Sequence, residues 1–281
     1  MLEIGLGYSG IGLAFSVSLS SEFLITYAFL YLVKDIDKRT LVGFSREDLQ
    51  GWREYLKYAF SGVALVVIEW WAVQIISLFI SRIGEASFAA QTIFTNIYTS
   101  IIIIAFGFGT SLNSIIGNAL GMNDSKLATL FYKDAMLLAS ILIVMLLTVL
   151  NIWGSSIISS FTSDTEVIRI ADSSFIFLTV LLLFDMLQSV LSGVMRALTL
   201  FRLAICIMIL FLWGVYEPFA LGLGVFFFSS LKAIYIIQAC ASAGLALSYF
   251  LILHKQDWRA IAETIHSKMK VDSNEEPLLG E

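Results

Sequence analysis

At 281 residues the chain is long enough for two soluble domains, yet 58% of it is hydrophobic and only 14% is charged, too little charge to coat a water-facing surface. The net charge of −5 carries no basic excess of the kind nucleic acid selects, and the two cysteines, Cys206 and Cys240, sit inside apolar runs with neither disulfide nor metal-ligand spacing. What remains is a polytopic membrane protein.

In chain order, the first span is expected within residues 1–33, from the apolar run 6–33. It lacks a basic leader and is too long for a signal peptide. A connector follows at 34–57. There Ser45-Arg46-Glu47-Asp48 resembles a capping box, and Trp52, Tyr55 and Tyr58 at helical spacing predict an interfacial helix. Residues 58–253 hold six further apolar runs, at 58–81, 88–111, 135–154, 173–195, 203–224 and 233–253. Each is near the length of about 20 residues that a helix needs to cross hydrocarbon. None alternates as a barrel strand would, so the expected fold class is all-α, with about seven transmembrane helices. Behind Asp257, the residues Trp258, Ile261, Ile265 and Met269 recur at helical intervals, which predicts a cytoplasmic amphipathic helix at 254–270 lying on the leaflet. Residues 271–281 read as a disordered acidic tail.

Lys and Arg set the orientation. Fourteen fall on the side of the first connector and the tail and three, Arg82, Arg169 and Lys232, on the other. The C-terminus is therefore expected in the cytoplasm, for a protein of the plasma membrane or of a vacuolar or endosomal membrane. The same count puts the N-terminus outside with no signal ahead of it, so the chain is expected to be the C-terminal part of something larger.

Acids inside the spans carry the chemistry. Glu22, Glu69 and Asp185 lie near mid-span, and Glu217 lies in the outer half of its own, where it is expected to snorkel to the interface. A carboxylate at the bilayer centre costs at least ~2.5–3.5 kcal/mol, and no Lys or Arg lies at similar depth to pair with it. Such acids must be protonated, hydrated or bound to a visiting cation. Each proton moving inward through 100 mV delivers about 2.3 kcal/mol, enough for a roughly fifty-fold solute gradient. Trp70 and Trp71 follow Glu69, and an aromatic face beside an acid holds an organic cation by ~2 kcal/mol when dry. Neighbours on a helix point about 100° apart, so at most one of the two Trp rings shares a cavity with Glu69. Gln91 and Asn96, beside Thr92 and Thr95, line that cavity or serve as interhelical glue.

These residues resemble a known family. Glu69-Trp70-Trp71, Ala89-Ala90-Gln91-Thr92-Ile93, Gly107-Phe108, Gly117-Asn118-Ala119-Leu120-Gly121 through Asp124, Phe184-Asp185, Ser192-Gly193-Val194-Met195-Arg196 and Asp257-Trp258 are, in that order, similar to the second lobe of eukaryotic multidrug and toxic compound extrusion (MATE) transporters. The resemblance implies two six-helix lobes around a central cavity. Here the first span would be the last helix of a first lobe, and the other six would form the second lobe. It implies antiport, in which H⁺ or Na⁺ enters while an organic cation or other amphipathic solute leaves. No cofactor is implied beyond the coupling ion. Expected partners are the lipid bilayer, the small-molecule substrate and a missing N-terminal lobe, and nucleic acid is not among them. Glu69 matches one of the family's coupling acids, and Asp185 replaces a Glu at another. Trp70, Trp71, Gln91 and Asn96 are the expected substrate cavity, with Glu22 and Glu217 as additional intramembrane acids. The chain departs from the family's pattern at Gln74, Asn96, Ile115, Ala105 and the stretch Ala197-Leu198-Thr199-Leu200. A non-functional transporter fragment is one alternative.

A seven-span receptor is the rival from another class. It would carry an acid-Arg-Tyr box after the third span and an Asn-Pro-x-x-Tyr run in the seventh, and the sequence has neither. An enzyme is not expected, because both histidines, His254 and His266, lie beyond the last span.

Overall fold

A computed structural model describes residues 7–32 and 52–275, all backbone there being helix or short turn. The capping-box-like stretch at 45–48 lies outside the described residues, as do residues 276–281. Eight helices are described: α1 (Gly7–Leu32), α2 (Trp52–Ile80), α3 (Glu85–Gly121), α4 (Ser125–Phe161), α5 (Thr165–Ala197), α6 (Phe201–Phe227), α7 (Leu231–Lys255) and α8 (Trp258–Glu275). Six of them, α1 and α3 to α7, are long and apolar enough to cross a membrane. All but the last residue of the run expected at 58–81 falls within α2, a single 29-residue helix that already begins at Trp52.

The chain divides into two compact units, Met1–Phe60 and Ser61–Glu281. In the first, α1 exposes apolar side chains all round, with the rings of Phe23, Tyr27 and Tyr31 following one turn apart, the first two stacked and the last tilted. In the second, α5 is the most deeply buried helix and packs against α3, α4 and α7. Its Leu178, Leu181, Leu182, Met186, Val190 and Val194 are essentially inaccessible. The spacing 178, 182, 186, 190, 194 is one helical stripe, and it explains why this helix takes the centre.

Where α3 and α5 cross, small residues let the backbones touch. A Cβ on Gly109 would come within 2.6 Å of the Ser189 carbonyl oxygen, and one on Gly193 would collide with the Gly109 carbonyl. Lipid tails are as apolar as leucine, so close backbone packing of this kind is what drives helices together in a bilayer. Polar clasps add to it. Tyr249 of α7 donates from its hydroxyl to the Ala204 carbonyl at 2.9 Å, and Trp213 of α6 donates from Nε1 to the Ile68 carbonyl at 3.1 Å.

Aspartates start three of the helices. The carboxylates of Asp124, Asp164 and Asp257 accept from Leu127 N, from Glu166 N and Val167 N, and from Arg259 N and Ala260 N. The turn between α3 and α4 is only three residues long and places Asn123 at φ 59°; the turn between α5 and α6 puts Thr199 at the same φ. Asn tolerates that left-handed conformation, whereas β-branched Thr is strained by it.

α6 departs from regular winding. Its stretches Leu210–Tyr216 and Ala220–Phe227 are π-helical, separated by one α turn at Glu217–Phe219. Pro218 lacks the N–H that would bond one turn back, so the helix has reason to wind more loosely there.

α8, the expected amphipathic helix, packs its apolar face against protein. Its Ala262 is buried, its Trp258, Ile261 and Ile265 are half-buried, and it packs on α3 and α4. The Trp258 ring sits 5.3 Å from that of Tyr132, and His266 donates from Nδ1 to the Gly121 carbonyl at 2.9 Å. Protein rather than lipid takes up the apolar stripe because the end of α3 offers both an apolar wall and an unused carbonyl. The helix continues to Glu275, so the first residues of the expected disordered tail are helical.

Candidate functional site

The polar interior is built by two stripes that face each other. On α5, Asp185, Gln188 and Ser189 fall at i, i+3 and i+4, so they share one side of the helix. On α7, Gln238 and Ser242 do the same at i and i+4. Between them lies a cavity of about 40 Å³, closed by Tyr98 of α3 and by Met208 and Leu212 of α6. A water molecule needs about 10–15 Å³ on the same measure, so the space suits one or two waters or a small ion and no organic solute.

Asp185 holds the wall of this cavity. Its Oδ2 accepts from the Tyr98 hydroxyl at 2.9 Å, and the Ser242 side chain also hydrogen-bonds the carboxyl. A charged acceptor makes such bonds shorter and stronger than neutral ones. The carboxyl, two amides and three hydroxyls form an oxygen-rich set that matches a proton, a water or a hard cation. Among the described residues, no group of three or more His, Cys, Asp and Glu is close enough to hold a metal ion.

A second cavity, of about 170 Å³, adjoins the first. Trp70 and Gln74 of α2 and Thr95 and Thr99 of α3 line it, and Val73, Tyr98, Ile102 and Phe106 line both cavities. Tyr98 is therefore one of the four residues between them. It lines the larger, mainly apolar space as well, and its hydroxyl reaches the carboxyl of the smaller one.

The residues expected from sequence distribute unevenly over this arrangement. Asp185 and Trp70 each line a cavity, whereas Trp71 is exposed and lines neither. Glu69 belongs to α2, but its side chain lies outside the described residues. Gln91 is buried in a clasp between α2, α3 and α7. Its Oε1 accepts from Tyr235 at 2.7 Å, and its Nε2 donates to Ser77 at 3.4 Å and Thr95 at 3.5 Å. Asn96 is exposed and turns its amide back to the Thr92 carbonyl of its own helix. Glu22 is exposed on α1, in the other unit. Glu217 does not snorkel. It is only 6% accessible, its Oε1 has no partner, and it sits on the α turn between the two π stretches. The expectation of an interfacial acid rested on its place in the outer half of the run, whereas the residue is buried. Sequence reasoning missed Tyr98, Gln188, Gln238 and Ser242. The i, i+3 and i, i+4 spacings of polar residues within the apolar runs of α5 and α7 were the available signal for all but Tyr98.

Lipid-length helices around a small polar cavity with a carboxyl on its wall define the class of all-α polytopic membrane proteins. A family model described as MatE matches residues 63–221, and the chain belongs to that family. It is 24% identical to mouse multidrug and toxin extrusion protein 2 over 270 residues, covering 95% of this chain and 47% of that protein. It is also 24% identical to zebrafish multidrug and toxin extrusion protein 1, covering 92% of this chain and 43% of the relative. The chain thus spans about half the length of the curated relatives it matches. Among solved structures it resembles the eukaryotic MATE transporter AtDTX14, with a TM-score of 0.78 at 19% identity, covering 91% of this chain and 58% of that one. A MOP superfamily transporter from Pyrococcus furiosus matches with a TM-score of 0.70 at 18% identity, covering 93% of this chain and 58% of that one. These two likenesses concern the fold.

Proposed function

We propose that this chain supplies the second lobe of a secondary antiporter that exports organic cations or other amphipathic small molecules in exchange for protons. The observation that carries the reading is the single residue Tyr98, held by Asp185 on one side and walling the 170 Å³ cavity on the other. A proton arriving at Asp185 turns the Tyr98 bond from a charge-assisted into a neutral one and so weakens one tie of the wall between the cavities. Loss of the proton restores it. Ion and solute then bias the same side chain, which is the differential contact that exchange needs. Solute binds beside Trp70, whose ring face suits a cation. Glu69, on the same helix, is assigned the second coupling carboxyl. The relatives' names, multidrug and toxin extrusion proteins, agree with this solute class.

The test is proton-gradient-driven uptake of tetraethylammonium into proteoliposomes, with a Na⁺ gradient as the parallel arm. The chain is assayed alone and co-expressed with a first lobe. Asp185→Asn and Glu69→Gln should each abolish exchange. Intact exchange in Asp185→Asn removes that residue from the mechanism, and exchange driven by Na⁺ alone replaces the proton.

A further inference from the structure

A second site lies at the opposite end of the lobe from the helix starts that carry Arg169 and Lys232. The start of α4 and the start of α8 enclose an open groove of about 650 Å³. Lys126 and Lys133 of α4 and Arg259 of α8 line it, and Trp258 forms one wall with its ring fixed against Tyr132. The one acid in the lining, Asp257, is committed to capping α8 through Arg259 N and Ala260 N. Arg259 is shared with Glu263 in an exposed pair at 3.5 Å, which leaves the two lysines as the principal charges. Three cations around one groove beside an anchored indole select an anion.

The surface next to the groove says which anion. Lys126, Leu130, Lys133, Leu137, Ile141 and Val144 follow at i, i+4, i+7, i+11, i+15 and i+18, a single face of α4. Leu137, Ile141 and Val144 are 63%, 58% and 61% accessible, so the basic end runs directly into an uncovered apolar track. A free phosphate has no use for that track. A lipid needs both parts, its phosphate among the lysines and its acyl chains along the helix, with tryptophan and lysine at the headgroup level where they are normally found.

We infer that this groove binds the headgroup of an anionic glycerophospholipid, whose acyl chains lie along the exposed face of α4. The inference requires that the chain crosses a membrane and requires no transport.

Spin-labelled phosphatidylserine and phosphatidylcholine, each diluted into phosphatidylcholine vesicles holding the full chain, give the fraction of motionally restricted lipid by electron paramagnetic resonance. The chain should retain phosphatidylserine several-fold over phosphatidylcholine. K126Q/K133Q should lower that preference by about fivefold or more, on the usual worth of a basic residue near the bilayer surface, while K126R/K133R keeps it. No preference in the parent chain overturns the inference, as does a preference that survives K126Q/K133Q or falls equally in both variants. Inorganic phosphate at matched ionic strength should displace no more label than chloride does. Greater displacement assigns the groove to a small soluble anion and overturns the lipid assignment.

Discussion

The pair formed by α3 and α5 is two different interfaces within three helical turns. At Gly109 and Gly193 the backbones touch and no side chain intervenes; at Tyr98 and Asp185 a long side chain bridges an open gap with cavities on both sides. The first leaves no room for even a Cβ. The second is polar, holds space for water, and is joined by a bond whose strength changes with one proton. The same two helices can therefore be rigid at one level and responsive at another, and the difference lies in what stands between them.

The comparison is broken most severely at the seam. Gly193→Ala puts a methyl against the Gly109 carbonyl with backbone on both sides, so a loss of about 3 kcal/mol is expected. Melting followed by size-exclusion chromatography in detergent should show it, and an unchanged melting temperature would mean that the backbones are not in contact. Asp185→Asn probes the other level. Exchange should fall by at least about a hundredfold, over 2.7 kcal/mol in the driven step, while melting stays near that of the parent. A variant that melts early instead would make Asp185 a structural residue. Gln91→Leu sharpens the boundary between the two kinds of site, since Gln91 belongs to the clasp with Tyr235 and lines neither cavity. It should cost about 1–3 kcal/mol of stability by leaving Tyr235 unpaired, and protein that survives should exchange at the parental rate. The smallest effect is at Thr199, whose φ of 59° suits glycine. Thr199→Gly should raise stability by about 1 kcal/mol, read as a melting shift with no change in exchange.

The apolar runs made most of the fold legible. Runs 88–111 and 135–154 lie inside α3 and α4, and they fell short at both ends because hydropathy registers only the oil-facing part of a helix. The polar ends go on until Asp124 or Asp164 caps the next helix. Asp185 was legible from depth alone, since an unpaired acid at mid-span demands an account. Its partner Tyr98 was not, because the two are 87 positions apart and nothing along one chain states which faces meet. Glu217 failed for a different reason. It was read from its place in the outer half of an apolar run, and position along a run does not state which side of the helix is buried, least of all where the helix winds i to i+5.

That looser winding of α6 has an arithmetic consequence. A π turn takes in one residue more than the α turn it replaces, so deleting one residue between Leu210 and Tyr216 leaves a tighter coil whose ends stay in place. The same deletion in α5 would rotate everything beyond it by about 100° and carry Gly193 off its neighbour. When sequences of this family are aligned, single-residue gaps should gather in the sixth helix and be absent from the fifth.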